Sequence, residues 1–288
     1  MKQLIVILGA TASGKTDLSI DIAKKYSTEI ISADSRQFYR QMSVGTAVPS
    51  AEQLEKVHHH FIHSRDVWEN YAAGAFEKDA LKLLSDLFSC HDHVVMVGGS
   101  GLYIDALCRG FDDIATVDES CRLSLMTTYK NEGLQPLLSR LKELDPTFYD
   151  LVDRHNHKRV IRALEVCLTS GKPYSEQRIG AGKQRDFAIR KIGIEMPREL
   201  LYDRINRRVD LMIDQGLEVE ARSVYCYREY NALRTVGYNE MFDYFDDKIS
   251  FDEAVSKIKQ NTRRYAKRQL TWFGRDDTIE WIKNIKQL

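Results

Sequence analysis

The octapeptide GATASGKT, residues 9–16, sets two glycines, a lysine and a threonine at the spacing G-x-x-x-x-G-K-[ST]. Between a strand and a helix, such a loop lets backbone N–H groups converge on phosphate oxygens at the helix N-terminus. Here those of residues 11–16 would do so, with Lys15 as a point charge and the Thr16 hydroxyl as a ligand for Mg²⁺. The pattern predicts a di- or triphosphate site made of Gly9, Ala10, Thr11, Ala12, Ser13, Gly14, Lys15 and Thr16. Further on, EIISADSRQFY (29–39) runs an apolar segment straight into Asp34. A carboxylate there could hold a metal ion, accept a proton or cap the next turn. Phosphate-loop hydrolases carry a second acid at the end of another core strand, but HVVMVGGSGLY (93–103) ends in Gly98, Gly99 and Ser100. The paired glycines let a bulky ligand approach the backbone, and Ser100 adds a hydroxyl.

The elements that must position these groups alternate along the first hundred residues. QLIVIL, EIISA and HVVMV read as strands, while KTDLSIDIAKKY and AGAFEKDALKLLSDLF read as helices, the second with Phe76, Ala80, Leu83, Leu84 and Leu87 in register. Continuous apolar strands separated by helices indicate a parallel sheet covered on both faces. From about residue 112 the strands stop: GLQPLLSRLKELDPTFYDLVD and HKRVIRALEVCLTSG are helical. FAIRKIGIEM then resumes the sheet, and RELLYDRINRRVDLMIDQGLEVEARSV reads as one long amphipathic helix. The expected organisation is an α/β, P-loop NTPase-like parallel sheet core (1–111 and 187–288) interrupted by an all-helical insertion (112–186).

Lysine plus arginine equals aspartate plus glutamate at 42 each in 288 residues, so any nucleic-acid surface must be a local patch. One such patch is TRRYAKRQLTWF (262–273), where Arg263 with Lys267 and Arg264 with Arg268 form i,i+4 pairs beside Tyr265, Trp272 and Phe273. A second, HKRVIRALEV, presents Lys158, Arg159 and Arg162 while Val160, Ile161 and Leu164 face inward. Five scattered cysteines without CxxC spacing fit a reducing cytoplasm. No stretch reaches the roughly 20 apolar residues of a membrane span. In VHHHFIHSRD, three adjacent histidines cannot all face one ion, so packing or hydrogen bonding is expected of them.

The ordered set GATASGKT, DSRQFY, VGGSGLY, RVIRALEV with SGKP, VGYNE and TRRYAKRQLTW resembles the tRNA dimethylallyltransferase (isopentenylpyrophosphate transferase) family over nearly the whole chain. The resemblance implies transfer of a dimethylallyl group from dimethylallyl pyrophosphate to N6 of the adenosine next to the anticodon, in tRNAs reading codons that begin with U. It implies Asp34 as the base, Ser100 hydrogen-bonding nearby, and Lys15, Thr16 and Mg²⁺ stabilising the departing pyrophosphate. Arg204 and Arg208 are the candidate arginines on the pyrophosphate side. The tRNA contacts it implies are Asp34, Ser35, Arg36, Gln37, Ser100, Arg122, Lys158, Arg159, Val160, Ile161 and Arg162. They continue with Arg234, Thr235, Val236, Gly237, Tyr238 and Asn239, then Lys267, Arg268, Gln269, Leu270, Thr271, Trp272, Phe273 and Gly274. A cytoplasmic monomer acting on the tRNA anticodon stem-loop, without a membrane, is expected. Val48 stands where the family commonly has lysine, which puts one phosphate or RNA contact in doubt. The rival reading, a small-molecule or nucleoside kinase, leaves the missing strand-end acid and the basic helix unexplained.

Overall fold

Leu4 to Gly9 are all buried in the first strand, β1 (Gln3–Gly9), as a strand covered on both faces requires. In the computed structural model, which describes residues 1–112, 119–178, 180 and 182–283, five further strands follow. They are β2 (Ile30–Ser32), β3 (His59–His60), β4 (His93–Gly98), β5 (Ala188–Ile194) and β6 (Ile279–Ile282). The sheet order is β3-β2-β4-β1-β5-β6, with every pairing parallel. The α/β class is therefore as expected. The two edge strands escape pattern reading, since two and four residues are too short for an alternation to register.

The helices are α1 (Lys15–Lys25), α2 (Ala51–Lys56), α3 (Ala73–Cys90), α4 (Gly101–Arg109), α5 (Glu119–Glu132), α6 (Gln135–Leu144) and α7 (Pro146–Leu151). They continue as α8 (His157–Ser170), α9 (Tyr174–Gln177), α10 (Arg198–Asp214), α11 (Leu217–Ser223), α12 (Tyr238–Phe245) and α13 (Phe251–Phe273). The single helix expected over 198–224 is in fact two. Gly216 adopts φ 94°, a left-handed conformation that ends α10 and starts α11 on a new axis.

By its contacts the chain divides into two compact units, 1–108 with 185–288, and 109–184. The first holds the sheet and two apolar layers. One layer, built on Leu4, Val6, Phe38, Phe76 and Met96, packs one face. The other, built on Ile5, Ile7, Leu18, Ile30 and Val95, packs the opposite face against α1. The second unit is helical among its described residues and closes on Leu137, Leu141, Phe148, Val160, Ile161 and Leu164. In it Asp145 caps α7 through Phe148 N–H (2.9 Å) and also accepts bonds from the Ser175 backbone and hydroxyl (2.7 Å each). Residues 113–118 and 284–288 of the segments expected from the sequence lie outside the described residues.

In the first unit, β2 and β4 end so close together that a Cβ on Gly98 would lie 2.5 Å from the Ala33 carbonyl oxygen. Gly98→Ala must therefore push Ala33, and Asp34 with it. The expected cost is about 1–3 kcal/mol of stability, measured by urea unfolding, with a parallel loss of activity.

Candidate active site

The phosphate loop leaves β1 through Gly9 (φ 146°), turns at Ala12 (φ 63°) and enters α1 through Gly14 (φ 93°). Because no side chain caps α1, its first N–H groups keep their pull on an anion. The Ser13 hydroxyl is buried and has no hydrogen-bond partner. An orphan donor costs free energy unless a ligand satisfies it, so the loop suits a phosphate oxygen. Lys15 Nζ meanwhile donates to the Ala10 carbonyl at 2.6 Å. Burial pushes the Lys15 ammonium down to about 8, the Asp34 carboxylate pulling up and Arg208 down. Arg208, on α10, reaches the Thr11 hydroxyl at 3.3 Å. Burial and neighbouring Arg204 hold its guanidinium below the usual range.

Asp34 stands just past β2. Its Oδ1 accepts the Arg36 N–H at 3.1 Å, a local turn that leaves the other carboxylate oxygen for a substrate. The Ser100 hydroxyl accepts the Ser35 N–H at 2.9 Å and donates to the Ser35 hydroxyl at 3.0 Å. Tyr265, on α13, closes the group. Burial and the adjacent Asp34 carboxylate raise its phenol above the ordinary range, against opposing pulls from Arg36 and a hydrogen bond with Ser100.

Three distant side chains hold the surrounding loops. Gln269 accepts the Thr11 N–H at 2.8 Å and donates to the Gly99 carbonyl at 2.9 Å, tying the phosphate loop to the diglycine. Glu220 accepts the N–H groups of Ser43, Val44 and Gly45, each at 2.8 Å, and the Tyr238 hydroxyl at 2.7 Å. Gln37 donates to the carbonyls of Thr46 (3.2 Å) and Ala47 (3.0 Å) from the other side. Two cavities result. One, of about 600 Å³, is lined by the phosphate loop, Arg204, Arg208 and the 43–51 segment. The other, of about 410 Å³, is lined by Arg36, Arg234, Asn239, Tyr265 and Arg268. Asp34 and Thr11 border both.

A model of the family described as IPP transferase matches residues 37–276. This chain belongs to the IPP transferase family. It is 50% identical to tRNA dimethylallyltransferase 2 of Azobacteroides pseudotrichonymphae over 98% of this chain and 92% of that one. It is 49% identical to tRNA dimethylallyltransferase 1 of Bacteroides fragilis over 98% and 93%. Among solved structures it is similar to the tRNA isopentenylpyrophosphate transferase of Bacillus halodurans (TM-score 0.71, 38% identity, 98% and 90% covered). It is also similar to a eukaryotic dimethylallyltransferase captured acting on tRNA (TM-score 0.83, 25% identity, 100% and 75% covered).

In this member of the IPP transferase family, several residues expected at the RNA have buried side chains. Val160 (0% exposed), Ile161 (3%), Tyr238 (0%) and Phe273 (3%) are buried and pack beneath the surface, and Gln269 (5%) is buried at the lining of the first cavity. Helical and loop motifs contain both faces of an element, and carrying a motif over whole includes its core half. Gly237 is likewise buried, at φ 97°, and its N–H is capped by Glu240 at 2.7 Å. Trp272 is partly buried and donates its indole N–H to Asp105 at 2.9 Å. Thr235 and Val236 are half-buried. Arg36 donates to the carbonyls of Asn231 (2.9 Å) and Ala232 (3.0 Å), and so braces the 231–237 loop. Arg263 is tied to Asn206 at 2.6 Å, so the cationic stripe on α13 is narrower than the i,i+4 spacing predicts. Lys158, Arg159, Arg234, Asn239, Lys267, Arg268, Leu270, Thr271 and Gly274 are exposed.

The second unit adds a feature the motif did not announce. Glu165 is 1% exposed and its carboxylate oxygens lack hydrogen bonds. Two arginines approach it as ion pairs, Arg122 Nε at 3.6 Å and Arg162 at 3.5 Å, while both side chains stay largely exposed. A buried carboxylate in this position orients two cations toward solvent, and the Arg162–Glu165 spacing of three was its only sequence signal.

Lys15 provides a titration test. Its folded-state value near 8 lies below the ordinary 10.5, so between these limits the unfolded chain binds more protons. Stability from this group therefore rises with pH across that window. In the ligand-free protein, wild type is expected to gain stability relative to Lys15→Met from pH 8 to 10.5 in urea titrations. A difference that stays constant across the window would contradict the buried ammonium.

Proposed function

We propose that this chain is a tRNA prenyltransferase that moves a dimethylallyl group from dimethylallyl pyrophosphate to N6 of the adenosine adjacent to the anticodon. The observation that carries this reading is Asp34 on the wall common to two cavities, one fitted for pyrophosphate and the other for a nucleotide. A kinase also needs an acceptor site, but the exposed cations Arg234 and Arg268 at the mouth of this one suit an RNA backbone better than a small acceptor.

The donor pyrophosphate lies on the phosphate loop, where α1 N–H groups, Ser13, Lys15 and Arg208 meet its charge. Val44, Val48, Leu211 and Met212 give the same cavity an apolar side suited to a five-carbon allyl group. The adenosine leaves its stack and enters through the second cavity. Its exocyclic amine is a weak nucleophile because the lone pair is delocalised into the ring. Asp34 accepts an N–H from that amine and takes the proton as the N–C bond forms and the allylic C–O bond breaks. The leaving electron pair stays on the pyrophosphate oxygen, stabilised by the loop donors and Lys15. Ser100 and Tyr265 position the Asp34 segment.

Next to Lys15 the first cavity is lined by two oxygen donors, the Thr16 hydroxyl and the Asp17 carboxylate. That set fits Mg²⁺, which binds through one or two carboxylates plus substrate phosphates. Thr16 and Asp17 would hold it, and it would supply charge neutralisation on the departing pyrophosphate. Exposed cations at Lys158, Arg159, Lys267 and Arg268, and the Arg122–Arg162 fork, would take RNA phosphates.

Incubation with dimethylallyl pyrophosphate, Mg²⁺ and an unmodified anticodon stem-loop is expected to yield prenylated adenosine by mass spectrometry. ATP consumption without adduct would overturn the assignment. Asp34→Asn is expected to lower turnover by about 10²–10⁴-fold with donor binding nearly unchanged; collapse of donor binding would make Asp34 a phosphate-shell residue instead. Arg162→Ala should weaken stem-loop binding uniformly across sequences and make the salt dependence shallower by about one ion, as measured by fluorescence anisotropy.

A further inference from the structure

The edge of the sheet carries a cluster that neither cavity uses. β3 pairs in parallel with β2, with Ile30 opposite His59, and the Ile30 N–H donates to the His58 carbonyl at 2.9 Å. Strand alternation turns His59 inward, where its Nδ1 meets the Val57 carbonyl at 2.8 Å. It sends His58 and His60 to the other face together. Their rings lie edge to face with centroids 4.4 Å apart. Glu29, just before β2, reaches His60 Nε2 at 2.6 Å. One ligand atom from each of Glu29, His58 and His60 falls within 4.8 Å of the others.

We propose that Glu29, His58 and His60 form a binding site for a borderline divalent transition metal, represented by Zn²⁺. Three neighbouring histidines argue against a site in the sequence because they cannot all point at one ion. The strand removes the objection by turning the middle one away and bringing in the carboxylate of Glu29, the residue before the neighbouring strand. Two imidazoles and one carboxylate make a three-ligand set that suits zinc, with water completing a tetrahedron. It is a poor set for Mg²⁺, which prefers oxygen ligands throughout. The ion takes the place of the hydrogen bond between His60 Nε2 and the Glu29 carboxylate, the imidazole ligating through Nε2 and carrying its one proton on Nδ1. The ion would staple the edge strand to the strand that leads into Asp34.

The test is calorimetry on the full chain, freed of metal with EDTA and titrated with ZnCl₂ without Mg²⁺ or pyrophosphate. One site is expected, and Zn²⁺ should raise the melting temperature. Replacing a supporting residue around a metal typically costs 10–100-fold in affinity, so losing a ligand in His58→Ala or His60→Ala should weaken binding by at least about tenfold. Prenyl transfer with Mg²⁺ is expected to persist in both variants, which shows that they fold. Zinc binding as tight in His60→Ala as in wild type, or no binding heat in wild type, would overturn the site.

Discussion

Parallel pairing is the constraint on which the molecule turns. In a parallel sheet every strand points its C-terminal end the same way, so the loops leaving β1, β2 and β4 gather at one edge. With β1 beside β4 and β4 beside β2, the phosphate loop, the diglycine and Asp34 become neighbours although they are far apart in sequence. The strand termini are glycine or small residues, Gly9, Ser32 and Gly98, so the loops start close enough to share partners. No local signal could bring Lys15 and Asp34 to the same charge environment; the sheet order does.

Given that placement, the supporting side chains have one task, which is to stop the loops from drifting apart. Gln269 bridges two backbone groups on different loops, and an amide suits this because it can accept and donate at once. Glu220 gathers three consecutive N–H groups and a phenol, a carboxylate standing in for an anion in a backbone nest. The Glu220 contacts join neutral donors to a charged acceptor at near-ideal distances, which holds a loop more firmly than exposed ion pairs can. The loops so held place the Asp34 carboxylate on the lining of both cavities.

The basic surface shows why composition was a weak guide. The balance of 42 acidic and 42 basic residues conceals local separation. On α13, Lys267 and Arg268 reach solvent while Arg263 is tied to Asn206. On α8, Lys158, Arg159 and Arg162 stay outside because Val160, Ile161 and Leu164 are drawn into the core of their unit. Spacing along a helix predicts which residues share a face, but a packing partner decides how much of that face remains free.

Much was determined by the amino-acid sequence alone. The phosphate loop was legible because its glycines, lysine and threonine act through local backbone geometry. The sheet class was legible because buried parallel strands are written as apolar runs, and the family followed from an ordered set of motifs. The tertiary structure decided what depends on distant partners. It made Gln269 a brace and buried Tyr238. It broke a helix at Gly216 through the left-handed conformation there, and it paired Glu29 with alternate histidines across a two-residue strand. Local conformational preference can be read from neighbours in the chain. Which side chain meets which across 177 or 258 residues is decided only when the strands have found their order.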